Sequence, residues 1–189
     1  MRTTGPSQAP LLLLDVIDAL DGAGIRHMVV GALAAAYHGV VRASRDADAV
    51  VSLPEANLAA LAEKLRTLGL DVRVSRGAAD DPIARVLLLT DTHGNSVDLL
   101  WGVRGMEKGA FERCRTTSLL GSSVNVIGAE DFIAMKLSAG SPRDVGDVEG
   151  VLDVSGQTLQ VPLLKKLTRL YGAAEARMLD GLLKKHREK

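Results

Sequence analysis

Apolar residues recur along this chain at two periods, and each change of period marks a change of element. From Pro10 to Ala23, Leu12, Val16, Ile17 and Leu20 share one face of a helix, and Gly22 and Gly24 end it. IRHMVV (25–30) reads as a strand, and GALAAAYHG (31–39) as a short helix that follows it directly. Residues 40–45 are a loop, and ADAVVSL (47–53) is a second strand. Pro54 opens a helix with Leu58, Leu61, Leu65 and Leu68 on its apolar face and Gly69 as its stop. LDVRVS (70–75) alternates like a half-exposed strand, and ARVLLLTD (84–91) and NSVDLLWG (95–102) flank a THG turn, the pattern of a hairpin. Residues 106–114 predict a short helix, with strand fragments around 118–120 and 124–127, and residues 1–8 read as a loose tail.

Beyond residue 127 the texture becomes helical. Segments 128–140, 141–153, 161–172 and the periodic stretch within 173–183 all predict helices, with a turn at 154–160. The expected organisation is an α/β core over 9–127 and a helical part over 128–187 packed on it. The closing KKHREK reads as a solvated basic helix end or tail.

Composition narrows the function classes. Lys+Arg and Asp+Glu each number 23, so nothing in the net charge marks a dedicated nucleic-acid binder, although a local basic patch is compatible with it. At 47% hydrophobic and 3% aromatic, the core must be built from aliphatic side chains. The single cysteine, Cys114, reads as a buried thiol and fits a reducing compartment. The apolar run Leu11–Leu14 is too short to span a membrane and no cleavage site follows it, so a cytoplasmic protein without a membrane partner is expected.

The chemistry concentrates in RASRDADAVV (42–51). Strands disfavour Asp, yet Asp46 and Asp48 sit two apart, on one face, with α-carbons roughly 6.5 Å apart. Two close, unpaired carboxylates repel each other, and burial raises that cost. A third acid, Asp98, stands in an apolar strand between Val97 and Leu99. If that strand lies beside the first, the three converge into a set of hard oxygen ligands suited to Mg²⁺. The plainer reading pairs these acids with Arg42, Arg45 or Arg104 on a solvent face. Upstream, a strand runs through Val30 into Gly31 and a helix, a turn that lets backbone amides approach a phosphate. Arg42 and Ser44, in the loop before the acids, are placed to meet a triphosphate. His38, at the end of the short helix, is read as a capping or packing residue, His27 and His93 as structural or exposed, and Trp101 as a core residue on the strand face opposite Asp98. The histidines lack metal-ligand spacing and there is no Walker-type loop.

Val30-Gly31-Ala32, a spacer, Asp46-Ala47-Asp48 and the later Asp98 resemble the signature of the DNA polymerase β-like nucleotidyltransferase superfamily. Further on, Lys136 followed by Arg143, Asp144 and Asp147 looks like the matching segment of AbiEii-type nucleotidyltransferases of toxin–antitoxin systems. The resemblance implies a minimal nucleotidyltransferase α/β core, a mixed and mostly antiparallel sheet with helices on one face, followed by a helical C-terminal part. It implies that Asp46 and Asp48 bind two Mg²⁺ ions with the NTP, that Asp98 binds the catalytic metal and helps deprotonate the acceptor, and that Gly31 and Ala32 cradle the β- and γ-phosphates. Lys136 and Arg143 would contact the nucleotide, and Asp144 or Asp147 would hold the lysine or the acceptor. The implied reaction moves NMP from an NTP, ATP among the candidates, to a hydroxyl of a tRNA 3′ end, a protein or an aminoglycoside-like small molecule, with a cognate antitoxin as a partner of the toxin type. A catalytically weak binding component is the alternative, because Ala32 stands where the family has Gly or Ser and offers only its backbone N–H.

Overall fold

The computed structural model describes residues 1–78 and 81–187, so Glu188 and Lys189 of the basic terminus lie outside the described residues. In chain order the elements are α1 (Ala9–Asp21), β1 (Arg26–Val29), α2 (Gly31–Tyr37), β2 (Asp46–Ser52), α3 (Leu58–Arg66), β3 (Asp71–Arg76), β4 (Ile83–Thr90), β5 (Ser96–Val103), β6 (Arg115–Leu119), β7 (Ser122–Val126), α4 (Ala129–Ala139), α5 (Pro142–Ser155), α6 (Val161–Tyr171) and α7 (Ala173–Arg187). The strands form one seven-stranded sheet in the order β3-β4-β5-β2-β1-β7-β6. The β2–β5 and β1–β7 pairs are parallel and the other neighbours antiparallel, which gives the mixed, mostly antiparallel sheet expected.

Alternation along β2 sets the two faces of the sheet. Ala47, Ala49 and Val51 are buried, while Asp46 and Asp48 project from the other side and are only partly covered. Helix α1 packs against β1, β2 and β5 and buries Leu12, Leu13, Leu14, Val16, Ile17 and Leu20. Burying one such Leu or Ile contributes roughly 1.5–3 kcal/mol. Helix α4 is the hub of the C-terminal helices and packs on α5, α6 and α7 through a buried side that includes Phe132, Ile133 and Leu137.

Two local expectations are corrected. Residues 106–114 form only a 3₁₀ turn at Lys108–Phe111. Gly109 weakens helix there by about 1 kcal/mol, and the Arg113 side chain is held by Asp131 at 2.7 Å and Glu107 at 2.8 Å. The N-terminal residues are not loose. Asn95, 2% exposed, accepts the Gln8 N–H at 2.6 Å and donates to the Gly5 carbonyl at 2.9 Å. The Gln8 side chain in turn accepts the Thr4 N–H at 2.7 Å, and Arg2 pairs with Asp15 and Asp18 on α1.

The remaining features fall into structural roles. His38 is buried, donates from Nε2 to the Ile127 carbonyl at 2.9 Å, and burial holds its pKa below the usual value. Trp101 is half-buried on the face opposite Asp98, with Nε1 donating to the Leu53 carbonyl at 2.9 Å. Burial pushes the Cys114 thiol up to about 11, which leaves it unreactive near neutral pH. The basic C-terminal helix end pairs with α5, through Lys185 to Glu149 and His186 to Asp153. No helix among the described residues is long and apolar enough to cross a membrane.

Candidate active site

Parallel pairing of β2 with β5 sets Asp48 opposite Asp98 and Asp46 opposite Ser96. One carboxylate oxygen from each of Asp46, Asp48 and Asp98 lies within 4.8 Å of the others. No lysine or arginine among the described residues makes an ion pair with any of the three, so the solvent-face pairing with Arg42, Arg45 or Arg104 does not occur. Ser44 Oγ donates to Asp46 at 2.5 Å. Burial, followed by repulsion from Asp46 and Asp98, pushes Asp48 up to about 6, against the pull of Lys136 and Arg42. Burial and Asp46 push Asp98 up as well. Three crowded acids without a cation are a costly arrangement for a fold and a fitting one for a divalent metal, which takes oxygen donors of this kind.

Gly31 shapes the site from the end of β1. It has φ +60, and a Cβ built on it would lie 2.6 Å from the Asp48 Cγ and overlap the carboxylate. Only glycine gives this close approach at this backbone angle. Gly31→Ala is expected to displace Asp48. The left-handed backbone alone costs about 1–2 kcal/mol, and a denaturation curve checks this: the variant should lose at least that much stability relative to the wild type.

The overhanging helices supply the cations. The α4–α5 corner is fixed by a capping box in which Ser141 Oγ accepts the Asp144 N–H at 3.2 Å and Asp144 accepts the Ser141 N–H at 3.2 Å. That cap aims Asp144 at Lys136, whose Nζ lies 2.7 Å from Asp144 and 3.0 Å from Asp147. Asp147, 2% exposed, also takes both Nε and Nη2 of Arg42, at 2.9 and 3.2 Å. Asp147 therefore ties the loop before β2 to the helical part, and its partners are Arg42 and Lys136 rather than Arg143. Burial raises the Asp144 pKa, but hydrogen bonds from Lys136 and Ser141 outweigh it and hold the group below the usual value.

A cleft of about 350 Å³ lies between the acid face and these helices, lined by Gly31, Arg42, Ser44, Asp46, Asp48, Lys136, Arg143 and Asp144. Ala32 is buried and lies outside this lining. The far end is apolar, with Ile83, Leu100, Val103, Met135 and Tyr171. The sequence reading missed that wall. Tyr171 was detectable, since it continues the α6 face of Leu164 and Leu167 at i+7 and i+4.

No protein-family model matches the chain, and no curated protein matches it. Solved structures do. The solution structure of the antibiotic-resistance factor ANT(2'')-Ia matches with a TM-score of 0.60 at 14% identity, over 95% of this chain and 97% of that one. The lincosamide antibiotic adenylyltransferase LnuA, in its lincomycin-bound crystal structure, matches with a TM-score of 0.52 at 11% identity, over 80% and 99% of the two chains. An antigenic nucleotidyltransferase-like protein from Paracoccidioides brasiliensis matches with a TM-score of 0.51 at 15% identity, over 96% and 95%. At these identities the likeness is one of fold: the chain has the DNA polymerase β-like nucleotidyltransferase fold, with an Asp triad on β2 and β5.

Proposed function

We propose that this chain is a Mg²⁺-dependent nucleotidyltransferase that moves NMP from an NTP to a hydroxyl of RNA, such as a tRNA 3′ end, or of a protein. The observation that carries this reading is the set of three carboxylates on paired strands that have no ion-pair partner among the described residues; two of them, Asp46 and Asp48, line a cleft that also holds Lys136. Asp46 and Asp48 would hold both ions and Asp98 one of them; when bound, the metal neutralises these acids and offsets the charge that develops on the phosphoryl oxygens.

The chain's own groups do the rest. The Gly31 amide, together with Lys136, Arg143, Arg42 and Ser44, holds the triphosphate. Lys136 serves as a point charge positioned by Asp144 and Asp147. Asp98 accepts the proton of the acceptor hydroxyl. The hydroxyl oxygen then bonds to the α-phosphorus, the bond from the α-phosphorus to the bridging oxygen breaks, and pyrophosphate leaves with that electron pair. The structures compared above lend no support to the AbiEii-type toxin subtype or to a cognate antitoxin, so the proposal stops at the transferase.

A small-molecule acceptor is the second reading. It is favoured by the match over nearly the whole of ANT(2'')-Ia, another structure of which is a complex with adenylyl-2''-tobramycin. Both readings are tested by incubating the protein and Mg²⁺ with each of the four α-labelled NTPs and with the RNA, protein and small-molecule fractions of a cell extract. Label from the α-phosphate should enter RNA or protein, the β- and γ-phosphates should leave together as pyrophosphate, and Asp46→Ala should abolish transfer. Label in the small-molecule fraction selects the second reading. No transfer with any NTP, together with no NTP-dependent thermal shift, would mean a binding protein that ignores nucleotide.

A further inference from the structure

Charge is unevenly shared along this neutral chain. Residues 161–187, which form α6 and α7, hold seven Lys and Arg against two acids, so the rest of the chain carries an excess of acids. The helical period sorts these cations onto one surface. On α6, Leu164, Leu167 and Thr168 are buried, while Lys166 and Arg169 fall on the exposed side with Lys165 at its border toward α7. On α7, Leu179 and Leu183 are buried, and Arg177 and Lys184 share the exposed side. The two helices meet where Lys165 Nζ lies 2.7 Å from Asp180. The hydrogen bond from Lys165, aided by Arg169, holds the Asp180 carboxyl below the usual carboxylate range. Asp180 is the one acid among these five cations. Lys166 and Arg177 make no hydrogen bond or ion pair among the described residues. A recess between Lys165, Arg169 and Asp180 has about 10 Å³, room for a single water and not for a small-molecule ligand.

We infer that the exposed face of the α6–α7 pair docks RNA through its phosphate backbone. The inference deepens the transferase reading above, because it selects RNA among the acceptors named there, but docking itself needs neither metal nor NTP. Repeated Lys and Arg on an open face suit a row of phosphates, which supply the sequence-independent part of nucleic-acid affinity. An acidic protein is the other polyanion such a face would attract. Protein interfaces, however, are centred on apolar side chains and depleted in Lys. Leu170 and Met178 are the exposed large apolar residues of the two helices, too few for such a centre. The face also adjoins the cleft. Tyr171, in the same last turn of α6 as Arg169, lines the cleft's apolar end. Arg143, exposed and without an ion pair among the described residues, lines the same cleft. RNA on this face lies beside the site without occupying it.

The test is the anisotropy of a 5′-fluorescein RNA hairpin with a single-stranded 3′ end, titrated with the full chain in the absence of NTP and Mg²⁺. The RNA should bind, and its affinity should fall at least about tenfold between about 50 and about 200 mM salt. The double charge reversals Lys166→Glu with Arg169→Glu and, separately, Arg177→Glu with Lys184→Glu should each weaken binding at least about tenfold and flatten the salt dependence. Neither should alter the NTP-dependent thermal shift. Lys64→Glu with Arg73→Glu, on α3 and β3, changes the net charge equally and should bind RNA as the wild type does. No binding at the lower salt, or binding that neither reversal on α6 and α7 weakens more than this control does, overturns the docking face. Poly-L-glutamate that displaces the RNA at equal charge concentration assigns the face to an acidic protein and overturns the choice of RNA. These failures leave the transferase reading standing with its protein and small-molecule acceptors. RNA binding without nucleotidyl transfer to any acceptor removes that reading and supports the docking face.

Discussion

Asp48→Asn is expected to stabilise the metal-free protein while abolishing nucleotidyl transfer. The Asp48 carboxyl is pushed from 3.8 to about 6 by burial, Asp46 and Asp98, so the folded chain resists its ionisation. At about 1.4 kcal/mol for each pH unit, that corresponds to up to about 3 kcal/mol at neutral pH. The sign follows from the folded value lying above the unfolded one. The group's favourable contribution is fully present below about 3.8 and is lost as the pH rises through about 6. Asparagine keeps the volume and removes the charge. Without metal, the variant should therefore melt higher than the wild type at pH 7.5, by roughly 2–4 °C for each kcal/mol recovered. The difference should close as the pH falls toward 4. Mg²⁺ with an NTP should raise the wild-type melting temperature and leave the variant's unchanged. Transfer should fall at least about a hundred- to thousandfold, the usual consequence of losing one electrostatic contact to the transition state. A variant that melts lower than the wild type at pH 7.5 without metal would contradict this account of the triad.

Asp147→Ala carries the opposite sign. It removes the one carboxylate that both Arg42 and Lys136 contact, and it does so where Asp147 is 2% exposed. Breaking a buried pair leaves the partner charge uncompensated and costs about 3–5 kcal/mol. Lys136 keeps Asp144 at 2.7 Å, so most of the cost falls on Arg42. Urea denaturation should show a midpoint well below the wild type's. Asp147→Asn retains an acceptor for the Arg42 fork and should recover part of the loss. The KM for NTP should rise in both variants, because the loop bearing Ser44 and the helix bearing Lys136 are no longer tied together. Wild-type stability in Asp147→Ala would show that this connection is not what joins the two parts.

Much of the site was legible because its pieces are local. Alternation along a strand puts Asp46 and Asp48 on one face whatever the strand pairs with. What connects the pieces is not local. The register that sets Asp48 opposite Asp98 joins strands fifty residues apart in sequence. Arg42 reads as a loop arginine free to meet phosphate, and its bond to Asp147 exists only because α5 folds back over the loop before β2. The N-terminal segment misled for the same reason. Gly5, Pro6 and Ser7 have the composition of a tail, and the buried Asn95 that pins them sits in a hairpin turn far along the chain. The proposed helix at 106–114 failed at Gly109 and Arg113, where ion pairs to Asp131 and Glu107 took the side chain that would have lain along a helix.

The central claim is that Asp46, Asp48 and Asp98 are crowded together to be neutralised by a divalent metal carrying an NTP. The measurement that tests it most directly is a Mn²⁺ titration followed by electron paramagnetic resonance, at pH 7.5, with a non-hydrolysable NTP analogue present. The account predicts two ions bound per chain in the wild type and loss of that binding in Asp48→Asn. Mn²⁺ binding that is the same in both proteins would contradict it.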